Sequence, residues 1–217
     1  LAMASWPGFD PNHFAASSPE SWRNRVVMDA YEPGSTFKMV TAAAALDGGL
    51  VSPDDLFDCE MGGITLAKTR ISDHMPFGLL TFRDVIAKSS NVGTIKTALR
   101  VPNGPFYETV RAFGFGRTTG IDLPGESAGL LLPVERWGPT TKAYVSFGQG
   151  ISVTPLQLAT AFAAVANGGR LLRPYVVAEI GHEGARRRLH PEPVVVREPV
   201  ASRTVATLRS LLTEVVV

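Results

Sequence analysis

A chain of 217 residues with 45% hydrophobic and 19% charged residues can bury one sizeable core and reads as a single globular domain. Its 21 Lys and Arg against 20 Asp and Glu leave a formal net charge of +1, which argues against a nucleic-acid-binding stripe or an acidic tail. The single Cys59 excludes an internal disulfide, and four scattered histidines with no H-x-x-x-H pair give no metal pattern, so no metal or cofactor is expected.

The chain opens on Leu1-Ala2-Met3-Ala4-Ser5, an apolar strand-like stretch stopped by Pro7-Gly8, and looks cut from something longer at the front. No apolar run approaches the ~18 residues of a membrane span. A helix is expected to start at Ser35, after the breaker pair Pro33-Gly34, and to run to Leu46 before Gly48-Gly49. Thr81 with Asp84 three residues on is a capping-box spacing and opens a second helix that stops near Ser89. A third covers 92–100, and a fourth follows Pro105 with Phe106, Val110 and Phe113 on one face.

Thr154-Pro155 with Gln157 is a complete helix-start signature, followed by an alanine-rich body that ends at Gly168-Gly169. Strands are expected at 171–172, 175–180 and 194–196, each bounded by Gly or Pro. Arg186-Arg187-Arg188 reads as a solvated turn. A last helix opens at Ser202, and the chain stops in it, at Val217, without a C-cap. Helices and strands segregate along the sequence, so the class is α+β, not a doubly wound sheet.

Chemistry concentrates in two short motifs. Ser35-Thr36-Phe37-Lys38 is S-x-x-K at an expected helix start. Residues three apart share a helix face, with Cβ atoms about 5–6 Å apart, so the Lys38 amine can reach the Ser35 hydroxyl. Burial and the helix N-terminus both disfavour a charged amine, which suits Lys38 as the base and Ser35 as the nucleophile. Alone, the pattern also fits a helix cap with a surface lysine.

Ser89-Ser90-Asn91 is S-x-N in the break between two expected helices, where Ser and Asn also serve as plain turn residues. In a catalytic reading Ser89 relays a proton between Lys38 and a leaving group, while the Asn91 amide holds Lys38 and binds a substrate carbonyl. Together the two motifs belong to the signature of penicillin-binding proteins and class A β-lactamases. Asp73 and His74 read as loop residues, because Lys38 already supplies the base.

The stretches 2–12, Tyr31-Glu32-Pro33-Gly34-Ser35-Thr36-Phe37-Lys38, Ser89-Ser90-Asn91-Val92-Gly93 and Ser146-Phe147-Gly148-Gln149-Gly150 through Gln157 resemble, in this order, the transpeptidase domain of class B penicillin-binding proteins. Ile71-Ser72-Asp73-His74 is similar to the cell-division branch. The resemblance spans essentially the whole chain. It implies the transpeptidase fold shared with serine β-lactamases, an antiparallel sheet flanked by helices.

It also implies a D,D-transpeptidase that cross-links peptidoglycan stem peptides ending in D-Ala-D-Ala through a serine acyl-enzyme, and that is trapped by β-lactam antibiotics. Partners would be other cell-wall synthesis or division proteins, with no nucleic acid. The location would be the bacterial cell envelope, on the outer face of the cytoplasmic membrane, although no anchor occurs in this chain.

The sequence departs from the family pattern at the third motif. No K-T-G or K-S-G occurs after Ser89; Lys96-Thr97-Ala98 and Lys142-Ala143-Tyr144 lack the glycine. Residues 1–217 are therefore expected to be a partial transpeptidase domain ending before the K-T-G strand. That strand would supply one wall of the cleft and one of two oxyanion donors, and losing one such donor costs roughly 10²- to 10³-fold in turnover. Two other readings share the scaffold. A β-lactamase or esterase would need a water-activating residue, and no E-x-x-x-N follows Ser89 suggestively. A non-catalytic β-lactam sensor or division scaffold would need a signalling segment, which this sequence does not show.

Overall fold

Residues 38–45 carry small or apolar side chains on every helical face apart from Lys38 and Thr41, a pattern that places a helix at the centre of a core. The computed structural model, which describes residues 2–182, 185–190 and 192–216, shows this arrangement. Its helices are α1 (Arg25–Met28), α2 (Lys38–Asp47), α3 (Phe82–Ala87), α4 (Asn91–Arg100), α5 (Asn103–Ala112), α6 (Thr141–Ser146), α7 (Pro155–Ala166) and α8 (Ser202–Thr213). Every residue of α2 from Lys38 to Ala45 is buried, enclosed by α3, α4, α5, α6 and α8. The run Ala42 to Ala45 keeps the helix thin enough for these neighbours to approach from several sides. Phe37 extends the same core towards Phe115, with ring centroids 5.2 Å apart.

Local signals explain where most helices begin. Thr81 accepts from the Asp84 N–H at the start of α3, and α7 carries the full reciprocal capping box between Thr154 and Gln157 with Pro155 in the first turn. The Gln157 side chain also donates to the carbonyls of Arg117 (2.7 Å) and Ala128 (3.0 Å), so one buried amide stitches a long loop to α7. α5 starts at Asn103, two residues before Pro105, because proline in the first turn removes only an N–H that has no intrahelical acceptor. α1 and α6 have no strong apolar period in the sequence and were not expected from it.

The strands are β1 (Leu56–Asp58), β2 (Gly63–Leu66), β3 (Thr69–Ser72), β4 (Leu79–Thr81), β5 (Leu171–Leu172), β6 (Glu179–His182), β7 (Ala185–Arg188) and β8 (Val195–Arg197). Among the described residues all pairing is antiparallel, as expected of the α+β class, and it is divided into four separate two-stranded ladders: β1 with β4, β2 with β3, β5 with β8, and β6 with β7. The last helix, α8, lies against α2, α3 and α7. Residues 2–5 join no ladder among the described residues and are exposed.

The three consecutive arginines are not a turn. They form the exposed strand β7, where Arg188 opposes Glu179 and Arg186 lies 3.5 Å from the Glu179 carboxylate. The expected strand at 175–180 begins only at Glu179.

Candidate active site

Ser35 and Lys38 are three residues apart across a change of helix type. Gly34 to Phe37 form a 3-10 turn that continues directly into α2, whose first residue is Lys38. In a 3-10 turn residues i and i+3 eclipse, so the turn sets the serine and the lysine on one face. Gly34, at φ +58°, supplies the left-handed backbone from which the turn departs.

The segment leading to Ser35 is pinned by residues 148–153, more than 110 positions further along the chain. Tyr31 bridges Val153, Gly150 N–H donates to the Glu32 carboxylate at 2.7 Å, and Gly34 N–H donates to the Gly148 carbonyl at 3.0 Å. Thr41 Oγ1 donates to the Ser146 carbonyl at 2.7 Å and ties α2 to the same segment. Thus Ser146-Phe147-Gly148-Gln149-Gly150 acts as a backbone clamp for the Ser35 turn.

Ser89 reaches the site through the end of α3. Its N–H donates to the Ile86 carbonyl (3.1 Å) and the Ser90 N–H to the Val85 carbonyl (3.0 Å), the double closure of a Schellman motif. Glycine normally occupies the left-handed position of that motif, yet Ser89 sits there at φ +56°. A non-glycine residue in this region costs roughly 1–2 kcal/mol. What the serine brings in return is a hydroxyl: Lys38 Nζ donates to Ser89 Oγ at 2.9 Å and to the Ser89 carbonyl at 2.5 Å.

Asn91 departs from the sequence expectation. Its side-chain amide donates to the Ser72 carbonyl at 2.9 Å and makes no bond to Lys38 among the described residues. Nor does Lys38 bond the Ser35 hydroxyl among them; both line one cavity instead. That cavity, about 470 Å³, is bounded by Ser35, Thr36, Lys38 and Met39, by Ile86 and Ser89, and by the apolar side chains of Phe162, Leu212 and Val215. Four polar side chains converge in an otherwise apolar cleft, the usual composition of a small-molecule or peptide site.

Sequence reasoning passed over Asp73 as a loop residue. In the structure its carboxylate accepts from Ser90 Oγ at 2.7 Å, from the Val92 N–H at 3.1 Å and from the Asn91 N–H. No local pattern marks this role, because the acceptor lies 17 residues before Ser90. His74 packs edge-on against Phe77 and is exposed, away from any acid/base role with Ser35. Cys59 is fully buried, as a packed residue should be, and burial pushes its thiol pKa up. No group of acidic, histidine and cysteine side chains suited to a metal occurs among the described residues.

Lys38 is 3% exposed, and burial pushes its pKa down from an ordinary 10.5 to about 8, against the opposing pull of the Asp73 carboxylate. A substantial neutral fraction near physiological pH makes the amine a competent base. The same depression has a stability consequence. Between pH of about 8 and 10.5 the unfolded chain holds a proton that the folded chain does not, so this site makes stability rise with pH across that window. Below it the charged form costs on the order of 3 kcal/mol. Chemical denaturation should therefore show the stability difference between the unsubstituted protein and Lys38→Met changing by a few kcal/mol in favour of lysine from pH 7 to pH 10. A difference constant with pH would contradict the buried, depressed amine.

Comparison with known proteins agrees with this arrangement. The family profile described as the penicillin binding protein transpeptidase domain matches residues 1–217. Stage V sporulation protein D of Bacillus subtilis is 36% identical over 220 residues, covering 100% of this chain and 34% of that protein. Peptidoglycan D,D-transpeptidase FtsI of Escherichia coli is 36% identical over 195 residues, covering 90% of this chain and 33% of that protein. Among solved structures, penicillin binding protein 3 of Mycobacterium tuberculosis complexed with aztreonam superposes with a TM-score of 0.83 at 36% identity, covering 89% of this chain and 43% of that one. The chain thus spans about a third of the length of the curated relatives it matches. With its two motifs in one cleft, its fold shared with these structures and its full length matched by the profile, the chain belongs to the penicillin-binding protein transpeptidase domains.

Proposed function

We propose that this chain carries the acyl-transfer chemistry of a peptidoglycan D,D-transpeptidase, with Ser35 as the nucleophile. The observation that carries the reading is the buried Lys38 amine, 2.9 Å from Ser89 Oγ, in a cleft shared with the Ser35 hydroxyl. Ser35 attacks the carbonyl of the penultimate D-Ala of a stem peptide while Lys38 takes its proton. The C–N bond to the terminal D-Ala breaks, Ser89 returns the proton to the departing amine, and the acyl group remains on Ser35. An amine from a neighbouring stem then displaces the serine and completes the cross-link. The second amide hydrogen of Asn91, not spent on Ser72, is assigned to a substrate carbonyl.

β-Lactams would enter by the same route, because their strained amide mimics the D-Ala-D-Ala end. The aztreonam complex of the mycobacterial relative supports that part of the reading, and the Escherichia coli relative's name supports the peptide reaction. The resemblance of Ile71-Ser72-Asp73-His74 favours a role in cell division, with other cell-wall synthesis or division proteins as partners. The natural place of such an enzyme is the cell envelope, at the outer face of the cytoplasmic membrane. No helix among the described residues is long and apolar enough to cross a membrane.

The test is the fate of the penicilloyl adduct on protein produced at the full length its gene encodes, followed by intact mass after excess labelled penicillin is removed. A transpeptidase should retain the label through a long chase, because its acyl-enzyme is built to await an amine acceptor. Rapid release of penicilloic acid would instead mark a hydrolase. Failure to take up label at all would leave a non-catalytic scaffold role.

A further inference from the structure

The turn that carries Ser89 and Asn91 is held by a carboxylate to which the proposed mechanism assigns no step. α4 begins with free N–H groups that no residue of the helix can satisfy. Ser90 Oγ accepts the Gly93 N–H at 2.9 Å, and Asp73 accepts those of Asn91 and Val92. The remaining Asp73 oxygen accepts the Ser90 hydroxyl proton at 2.7 Å. Asp73 itself is fixed by its own N–H, which donates to the Gly62 carbonyl at 2.9 Å, and the adjacent Ser72 carbonyl receives the Asn91 amide. One half-buried side chain thereby joins the β2–β3 hairpin to the start of α4, with Ser89 on the residue just before the cap.

We propose that Asp73 is a positioning residue for the acyl-transfer reaction: it locks the Ser89–Asn91 turn, on which both Lys38 hydrogen bonds end, against the β2–β3 hairpin. The inference rests on the reading of Ser35, Lys38 and Ser89 given above.

Three features favour it over simple helix capping. First, Ser89 lies in a left-handed conformation that its own backbone disfavours, so its neighbours must hold it there. Second, both Lys38 bonds end on Ser89, so any slack in the turn is passed to the amine. Third, charge on Asp73 favours the protonated amine against the effect of burial. On α3 and α4, which flank the turn, the other charged groups are paired: Asp84 with Lys88 at 3.2 Å, Lys96 with Glu60 at 2.6 Å, Arg100 with Asp55 at 3.1 Å, and Arg83 with Glu214. The Cys59 thiol also faces Ser90, at 3.4 Å, and burial keeps it in the neutral form.

The experiment compares Asp73→Asn and Asp73→Ala with the unsubstituted protein, at the full length the gene encodes, by two readouts. The first is the titration midpoint of Lys38, measured by competitive acetylation with acetic anhydride across pH and peptide mass spectrometry. The second is the pH dependence of acylation by a labelled penicillin. Asp73→Asn keeps an acceptor oxygen for the Asn91 and Val92 N–H groups and removes the charge, so the Lys38 midpoint should move down from about 8 and the acid limb of acylation should move down with it. Asp73→Ala also frees the turn and should lower the acylation rate by about 10- to 100-fold at every pH.

A Lys38 midpoint unchanged in Asp73→Asn overturns the proposal, as does a loss of thermal stability unaccompanied by any change in Lys38 titration. If Asp73→Ala fails to fold, Asp73→Asn decides alone. If the unsubstituted protein takes no label, the acyl-transfer reading fails, while the Lys38 midpoint still decides whether Asp73 acts on the amine.

Discussion

Ser35→Ala should abolish the penicilloyl adduct entirely, because the bond that holds the label is an ester to the Ser35 oxygen. Lys38→Arg should leave the adduct possible but slow its formation by about 10²- to 10⁴-fold, the range a single general base contributes. A guanidinium stays protonated at any accessible pH and cannot take the serine proton. It is also bulkier and planar where the lysine is 3% exposed, so near-ultraviolet circular dichroism should accompany the rate to show that the core is intact. Intact-protein mass after incubation with labelled penicillin reads both variants. Label on Ser35→Ala, or undiminished labelling of Lys38→Arg, would remove Ser35 or Lys38 from its proposed role.

Gly148→Ala should be nearly as damaging, although residue 148 contributes no reacting atom. Gly148 sits at φ +81°, where an L side chain is strained, and a Cβ there would meet the Gly34 carbonyl oxygen at 2.2 Å and its nitrogen at 2.6 Å. Those atoms are backbone and cannot rotate away. They belong to the residue just before Ser35, which is tied to Gly148 by its own hydrogen bond. Relief of the clash must therefore push the Ser35 turn out of the cleft, and a displacement of about 1 Å is enough to cost roughly 100-fold in rate. A stability loss of about 2–4 kcal/mol should accompany it, from the strained φ plus the displaced contact.

Gly49→Ala is the control. Its φ of +64° carries the same intrinsic strain, but a Cβ there meets nothing within 4 Å. It should lower stability by about 1 kcal/mol and leave acylation alone. Equal acylation by Gly148→Ala and the unsubstituted protein would show that the clamp does not set the Ser35 position.

Several elements could be read from short stretches of chain because their causes are local. Thr81 with Asp84, and Thr154-Pro155 with Gln157, specify helix starts through bonds that span three residues, and the structure has helices at both. The spacing of Ser35 and Lys38 is local in the same sense: any helical turn sets them on one face. The β2–β3 hairpin was not legible, for an equally definite reason. Its turn places Ala67 and Lys68 at positive φ, where Asn and Gly are the usual signal, so nothing in the residue types announced it. β1 and β4 are three residues each, too short for a period to show, and their pairing of Phe57 with Leu80 is made by the core both side chains enter.

The amino-acid sequence by itself determined the family, the α+β class, the helix that follows Ser35 and the two motifs, since each rests on residue types at short fixed spacings. Only the tertiary structure decided what surrounds the Lys38 amine: Ser89 51 residues away, the Asp73 carboxylate, and the depth of burial that lowers its pKa to about 8. It also decided that Asn91 bonds Ser72 and not Lys38, and that Gly148 abuts Gly34. The physical reason is common to these cases. Desolvation, charge proximity and steric contact depend on distances between atoms that the chain brings together only after many turns, whereas capping and helical phase are complete within one.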